Sequence, residues 1–164
     1  MSAVTPGRPF EGFDTEVLPE WLDYNGHVND SAYAVICTRA NEMFLDALGL
    51  GAAYQQATGC TLYTVEAHLR YLAEVRQGAR LTAETIVVDA DAKRLRIHTT
   101  LRDHEAVLVL TGEYLYLHVD QGTGRVAPFP DDRRSVVDRA LAAHGSLERP
   151  AHLGLGGGAP RPRP

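Results

Sequence analysis

Apolar positions along the chain change their period twice, and those changes divide it into elements. From Asp30 onward Ala32, Tyr33, Val35, Ile36, Ala40, Met43, Phe44, Ala47 and Leu48 recur at spacings of three and four, as one buried helical face requires. Asn29, Asp30 or Ser31 can cap the N-terminus of this helix, and Gly49 stops it. A short strand is predicted ahead of it over Thr15–Leu18, ended by Pro19, and a second short helix behind it over Ala52–Ala57. The chain then turns strand-like. Thr61–Tyr71 is rich in Thr, Tyr and Val, and Arg80–Asp89 in Thr, Ile and Val; Arg94–Asp103 and Ala106–Val119 follow. The connectors Asp89-Ala90-Asp91-Ala92 and Asp103-His104-Glu105 are too short for a parallel crossover, so these strands form antiparallel hairpins. After the turn Gln121-Gly122-Thr123-Gly124, Asp131–His144 reads as an amphipathic helix with Val136, Val137, Ala140 and Leu141 on its apolar side.

One long apolar helix followed by a meander suggests a sheet wrapped around that helix, an α+β arrangement. The domain is expected over residues 12–148. A loose arm, Met1–Glu11, precedes it, and a disordered tail rich in Gly, Pro and Arg follows over 149–164. Open sheet edges predict pairing into a homodimer, or further into a homotetramer.

Composition narrows the function without naming it. The 164 residues suit one core, and a formal net charge of -5 argues against a nucleic-acid partner. The two cysteines, Cys37 and Cys60, have neither disulfide-framework nor zinc spacing, and no metal ligand set is evident. No apolar stretch is long enough to span a bilayer and no signal peptide is visible, so a cytoplasmic protein without a membrane partner is expected.

The segment between the first strand and the long helix, Asp23-Tyr24-Asn25-Gly26-His27-Val28-Asn29, concentrates a carboxylate, an imidazole and two amides. Read alone it is a turn and a cap, since Asn-Gly is a turn dipeptide and Asn29 a capping residue. Its position allows more. The first N–H groups of a helix, here around Asp30, lack intrahelical partners and favour negative charge, so a carbonyl placed there gains stability as it becomes an oxyanion. Asp23 could then attack that carbonyl or activate water.

The pattern Asp23-x-x-Gly26-His27-Val28-Asn29-x-x-x-Tyr33 resembles the signature of the 4-hydroxybenzoyl-CoA thioesterase branch of the hotdog superfamily, at the same place in the order of elements. The resemblance implies a hotdog fold and acyl-CoA hydrolysis without a cofactor, CoA thioester being the substrate. It casts Asp23 as nucleophile or general base, with His27, Asn29 and Asp30 around it. More narrowly, Trp21–His27, Tyr63–His68, Tyr71-Leu72-x-Glu74 and Asp91-x-Lys93-Arg94 look like betainyl-CoA thioesterases of carnitine breakdown. A trimethylammonium group binds aromatic faces backed by a carboxylate. Trp21, Tyr24, Tyr33 and Tyr63 are the candidate aromatics and Glu66 the candidate carboxylate, unless these rings serve the core or an interface. Thr64, Glu66 and His68 alternate along one strand and are expected on one face, where Glu66 and His68 could reach the site across a dimer or simply meet solvent. Lys93 and Arg94 are candidates for the CoA phosphates, or else a charged hairpin end. Two other readings stay open. A hotdog hydratase would show Asp-x-Asn-Pro-x-His, from which Gly26 and the early His27 depart; a non-catalytic acyl-CoA or quaternary-ammonium binding module would not need Asp23.

Overall fold

The computed structural model describes residues 4–154. Five long strands, β1 (Phe10–Glu16), β2 (Cys60–Tyr71), β3 (Arg80–Ala90), β4 (Arg94–Asp103) and β5 (Leu108–Asp120), pair antiparallel in the order β1-β3-β4-β5-β2, and a two-residue β6 (Arg125–Val126) extends β5. Helix α1 (Asp30–Ala47) lies against the inner face of this sheet, α2 (Ala52–Thr58) leads into β2, and α3 (Asp131–His144) packs on β3. This is the α+β hotdog layout expected from the sequence. Each of the four long ladders carries a register irregularity, and such bulges bend a sheet and increase its twist, which helps this one curl around α1. No helix of the described residues is long and apolar enough to cross a membrane.

Three details differ from the pattern reading. The first strand begins at Phe10 rather than Thr15, so the end of the expected arm is part of the sheet. Phe10 and Phe13 are both buried, and the Phe10 ring lies 5.3 Å from Phe44 of α1. Gly12 makes this possible, since a Cβ there would come within 2.2 Å of that ring. Second, the buried face of α1 is rotated: Val35 and Met43 are exposed, whereas Cys37 and Asn41 are buried. Asn41 is tolerated inside because it is satisfied. Its amide donates to the Tyr116 hydroxyl at 3.1 Å, and its oxygen accepts from Thr99 at 2.6 Å, with Thr85 3.2 Å beyond. Third, residues 149–154 of the expected tail run across the outer sheet face, where the Gly154 N–H donates to Glu113. Residues 1–3 of the arm and 155–164 of the tail lie outside the described residues.

That outer face carries an Arg96–Glu113 ion pair buried between β4 and β5, and next to it His98, also buried. Burial pushes the His98 pKa down to about 4, helped by His152 and opposed by Glu113. The opposite edge of the sheet is different in kind. β2 pairs with β5 on one side only, and Tyr63, Val65 and Tyr71 along it are about half exposed.

Candidate active site

The loop from Trp21 to Asn29 is tied down at both ends before it presents any chemistry. Trp21 and Val28 are buried in the core. The Val28 N–H donates to Val75 and the Asn29 N–H to Trp21. Between these anchors Asp23 and His27 close a tight turn, with Asp23 N–H donating to the His27 carbonyl at 2.8 Å and Gly26 N–H to the Asp23 carbonyl at 3.0 Å. Gly26 takes φ +77°, a left-handed conformation that costs a side-chain-bearing residue energy. The turn fixes the Asp23 carboxylate, which accepts from the Asn25 N–H at 2.8 Å, the His27 N–H at 3.3 Å and the Asn25 side-chain amide at 3.3 Å. Desolvation pulls its pKa upward but is outweighed by these hydrogen bonds and by the His27 charge, so the group sits below the ordinary carboxylate value. It stays ionised.

The carboxylate lines a hollow of about 340 Å³ with Asn25, His27, Val28, Asp30, Tyr33, Tyr71, Leu72, Ala73 and Glu74. The N-terminus of α1 supplies one wall. Asn29 caps it, its side chain accepting from the Ser31 N–H at 2.9 Å and the Ser31 hydroxyl at 2.7 Å, while the Ala32 and Tyr33 N–H groups go to the Asn29 carbonyl. The Asp30 N–H, first in the helix, is left without an intrahelical acceptor, at the positive end of the dipole. The far wall comes from the end of β2 and the segment after it. Tyr33 and Tyr71 meet edge to face at 5.6 Å, their hydroxyls donating to the Ala73 and Asp30 carbonyls at 3.4 Å each. Glu74 reaches within 3.4 Å of His27 Nε2. Burial, then the Glu74 and Tyr71 charges, push the Tyr33 pKa up to about 12.

Asp23, His27, Asp30 and Tyr33 of the expected residues thus come together, with Asn29 capping the helix beside them. The others lie elsewhere within one protomer. Trp21 is a core residue with the Arg39 guanidinium 5.6 Å from its ring, and Tyr24 is almost wholly exposed at the tip of the turn. Tyr63 lies at the far end of β2, where its hydroxyl accepts from Gln121. The expected shared face of Thr64, Glu66 and His68 does not exist, because Val65 is an extra residue in the ladder with β5. Thr64 stands opposite Tyr116, on the α1 side, whereas Glu66 and His68 stand opposite Leu115 and Glu113, on the outer side. Lys93 and Arg94 flank the β3–β4 hairpin, where Asp91 accepts from both backbone N–H groups and from the Arg94 guanidinium. Arg94 pairs with Leu117, and Leu117 with Tyr63, which puts the hairpin roughly 25 Å along the sheet from Tyr71 at about 3.3 Å per residue. Reasoning from the residues missed Tyr71 and Glu74 as walls of the hollow, although both stand in the Tyr71-Leu72-x-Glu74 stretch that carried the resemblance.

Residues 17–141 match the model of the thioesterase-like superfamily. The chain belongs to that superfamily. It is 36% identical over 143 residues to the betainyl-CoA thioesterase of Pseudomonas aeruginosa, covering 87% of this chain and 90% of that one. It is 39% identical over 148 residues to the L-carnitine dehydrogenase/betainyl-CoA thioesterase of Agrobacterium fabrum, covering 90% of this chain but only 30% of the larger protein. Among solved structures, a Staphylococcus aureus protein in complex with CoA superposes with a TM-score of 0.84 at 27% identity, covering 93% of this chain and 96% of that one. The superfamily match spans the turn, α1 and strands β2–β6, so the hollow lies inside the matched region.

Proposed function

We propose that this protein hydrolyses an acyl-CoA thioester to the free acid and CoA, and that the acyl group is betainyl. The observation that carries the hydrolysis is an ionised, turn-fixed carboxylate sharing one hollow with Asp30, the first residue of a long helix. The thioester carbonyl would rest on the Asp30 N–H, where negative charge is favoured as the tetrahedral intermediate forms. Asp23 would take a proton from water as the water oxygen bonds to the carbonyl carbon, or itself bond to that carbon and be released by water afterwards. In either route the C–S bond breaks with its electron pair going to sulfur, and a thiolate leaves without needing a strong acid. The betainyl assignment rests on the relatives named above, one of which this chain matches over nearly its full length.

The working unit we propose is a homodimer joined along β2, in the cytoplasm, where Cys37 and Cys60 stay reduced. Two β2 edges meeting antiparallel about a mid-strand two-fold would set the Tyr63 end of one against the Tyr71 end of the other. The Lys93–Arg94 hairpin of each protomer would then approach the other's hollow, as a diphosphate-bearing ligand needs. Colorimetric thiol release from a panel of betainyl, aliphatic and aromatic CoA thioesters tests the activity. Betainyl-CoA should be turned over fastest. Absence of thiol release from every member, with CoA thioesters still bound, would turn the reading to a binding module.

A further inference from the structure

We infer that Tyr33, Tyr71 and Glu74 form the pocket that selects a quaternary-ammonium acyl group, a proposal that rests on the acyl-CoA reading above. The constraint is covalent. In a betainyl thioester the ammonium nitrogen is two bonds from the carbonyl carbon, about 2.5 Å away. A carbonyl seated between Asp23 and the Asp30 N–H therefore leaves the cation no choice but the same hollow. The open aromatic surface lining that hollow is Tyr71, about half exposed, backed edge to face at 5.6 Å by the buried Tyr33. Both hydroxyls are tethered to backbone carbonyls, which holds the rings without a rotamer search on binding. Tyr33 sits one helical turn below Asp30, under the place the carbonyl would occupy.

Charge points the same way. The hollow is lined by Asp23, Asp30 and Glu74, with no lysine or arginine among its lining residues. Asp23 is committed to the reaction, and Asp30 accepts from the Ser31 N–H at the positive end of α1. Glu74 is largely exposed and comes no nearer than 3.4 Å to His27 Nε2, which it does not hydrogen-bond, so it is the carboxylate free to face a ligand. An acyl group bearing a carboxylate would be repelled here, and a neutral one would gain nothing from Glu74. A trimethylammonium group gains from the carboxylate and from the exposed Tyr71 ring, which Tyr33 holds from behind. The pocket differs from the aromatics expected from the sequence in every member but Tyr33.

The test uses the full chain and two thioesters of one shape: betainyl-CoA and 3,3-dimethylbutanoyl-CoA, in which carbon replaces the charged nitrogen. The readout is the ratio of their kcat/KM values, so a general loss of fold or chemistry cancels. Unaltered protein should favour the cation by more than about tenfold. Glu74→Gln should lower that ratio on the order of tenfold, Tyr71→Leu by a similar factor, and Tyr71→Phe by no more than about twofold because the ring remains. A ratio near one in the unaltered protein, or one unmoved by Glu74→Gln and Tyr71→Leu, would overturn the pocket while leaving hydrolysis intact. If neither thioester releases thiol, hydrolysis fails separately, and the ratio of their dissociation constants decides the pocket by the same criteria. Binding of neither overturns both.

Discussion

Replacing Asp23 by asparagine exchanges one oxygen for an NH2 group and asks whether the carboxylate does chemistry or only holds a turn. The structure says what the substitution leaves in place. An amide oxygen can still accept from the Asn25 and His27 N–H groups, at 2.8 and 3.3 Å in the native turn, and the exposed Asn25 side chain can rotate to face the new NH2. The backbone bonds that close the turn, and the burial of Trp21 and Val28 on either side, are untouched. The variant should therefore fold with an unchanged melting temperature and bind CoA thioesters as before. Turnover should fall by roughly 10²–10⁴, the usual loss when a positioned base is removed. The pH profile adds an independent check. Hydrogen bonds to the anion lower the Asp23 pKa, so the active, ionised form persists as pH falls from neutrality, and kcat/KM should decline only below the ordinary carboxylate value of 3.8. Stopped-flow thiol detection across pH with circular dichroism at each point separates this from unfolding. Turnover within threefold of the unaltered protein would refute the role of Asp23. An acid limb well above the carboxylate range would show that a different group titrates.

Three further outcomes follow from the packing. Asn41→Ala removes two buried hydrogen bonds and leaves a small void, though Thr99 keeps Thr85 as a partner; about 2–4 kcal/mol of stability should be lost in urea titration at constant m-value. His98 is neutral in the folded state with a pKa near 4, whereas the unfolded imidazole takes a proton near 6.5. Its contribution is thus intact above pH 6.5 and is lost as pH falls toward 4, by roughly 3 kcal/mol; a His98→Asn variant should show a shallower pH dependence of urea midpoints over that window. Val65→Lys puts a charge on the exposed β2 edge, and light scattering should show a dimer shifted to monomer with activity falling in parallel; an unaltered dimer mass would reject β2 as the interface.

How far the sequence could be read depended on whether periodicity survives local geometry. The long helix, the hairpin strands and α3 were legible because their apolar spacing is regular, and the Asp23–Asn29 segment because its residue types are unusual in combination. β1 was read five residues late. Pro6, Gly7 and Pro9 precede it, and a bulge between Phe10 and Phe13 breaks its alternation. The α1 face was read with Val35 and Met43 inside because hydrophobicity alone cannot foresee that Asn41 finds two polar partners in the core. Glu66 and His68 were joined to Thr64 because a bulge at an ordinary valine has no local signature. The walls of the hollow contributed by Tyr71 and Glu74 follow from how the end of β2 passes the start of α1, a contact some forty residues apart that no window along the chain contains.

The extra residue at Val65 also bears on how the strand can change length. It lies between Thr64, paired with Tyr116, and Glu66, paired with Leu115, so its removal would leave a regular ladder with every other side chain facing as it does now. The same deletion at Leu69 would turn Tyr71 from α1 to the outer face and take its ring out of the hollow. β2 therefore has one position where a single-residue deletion leaves every other side chain facing as it does now, and Val65 is where an alignment gap among relatives should fall.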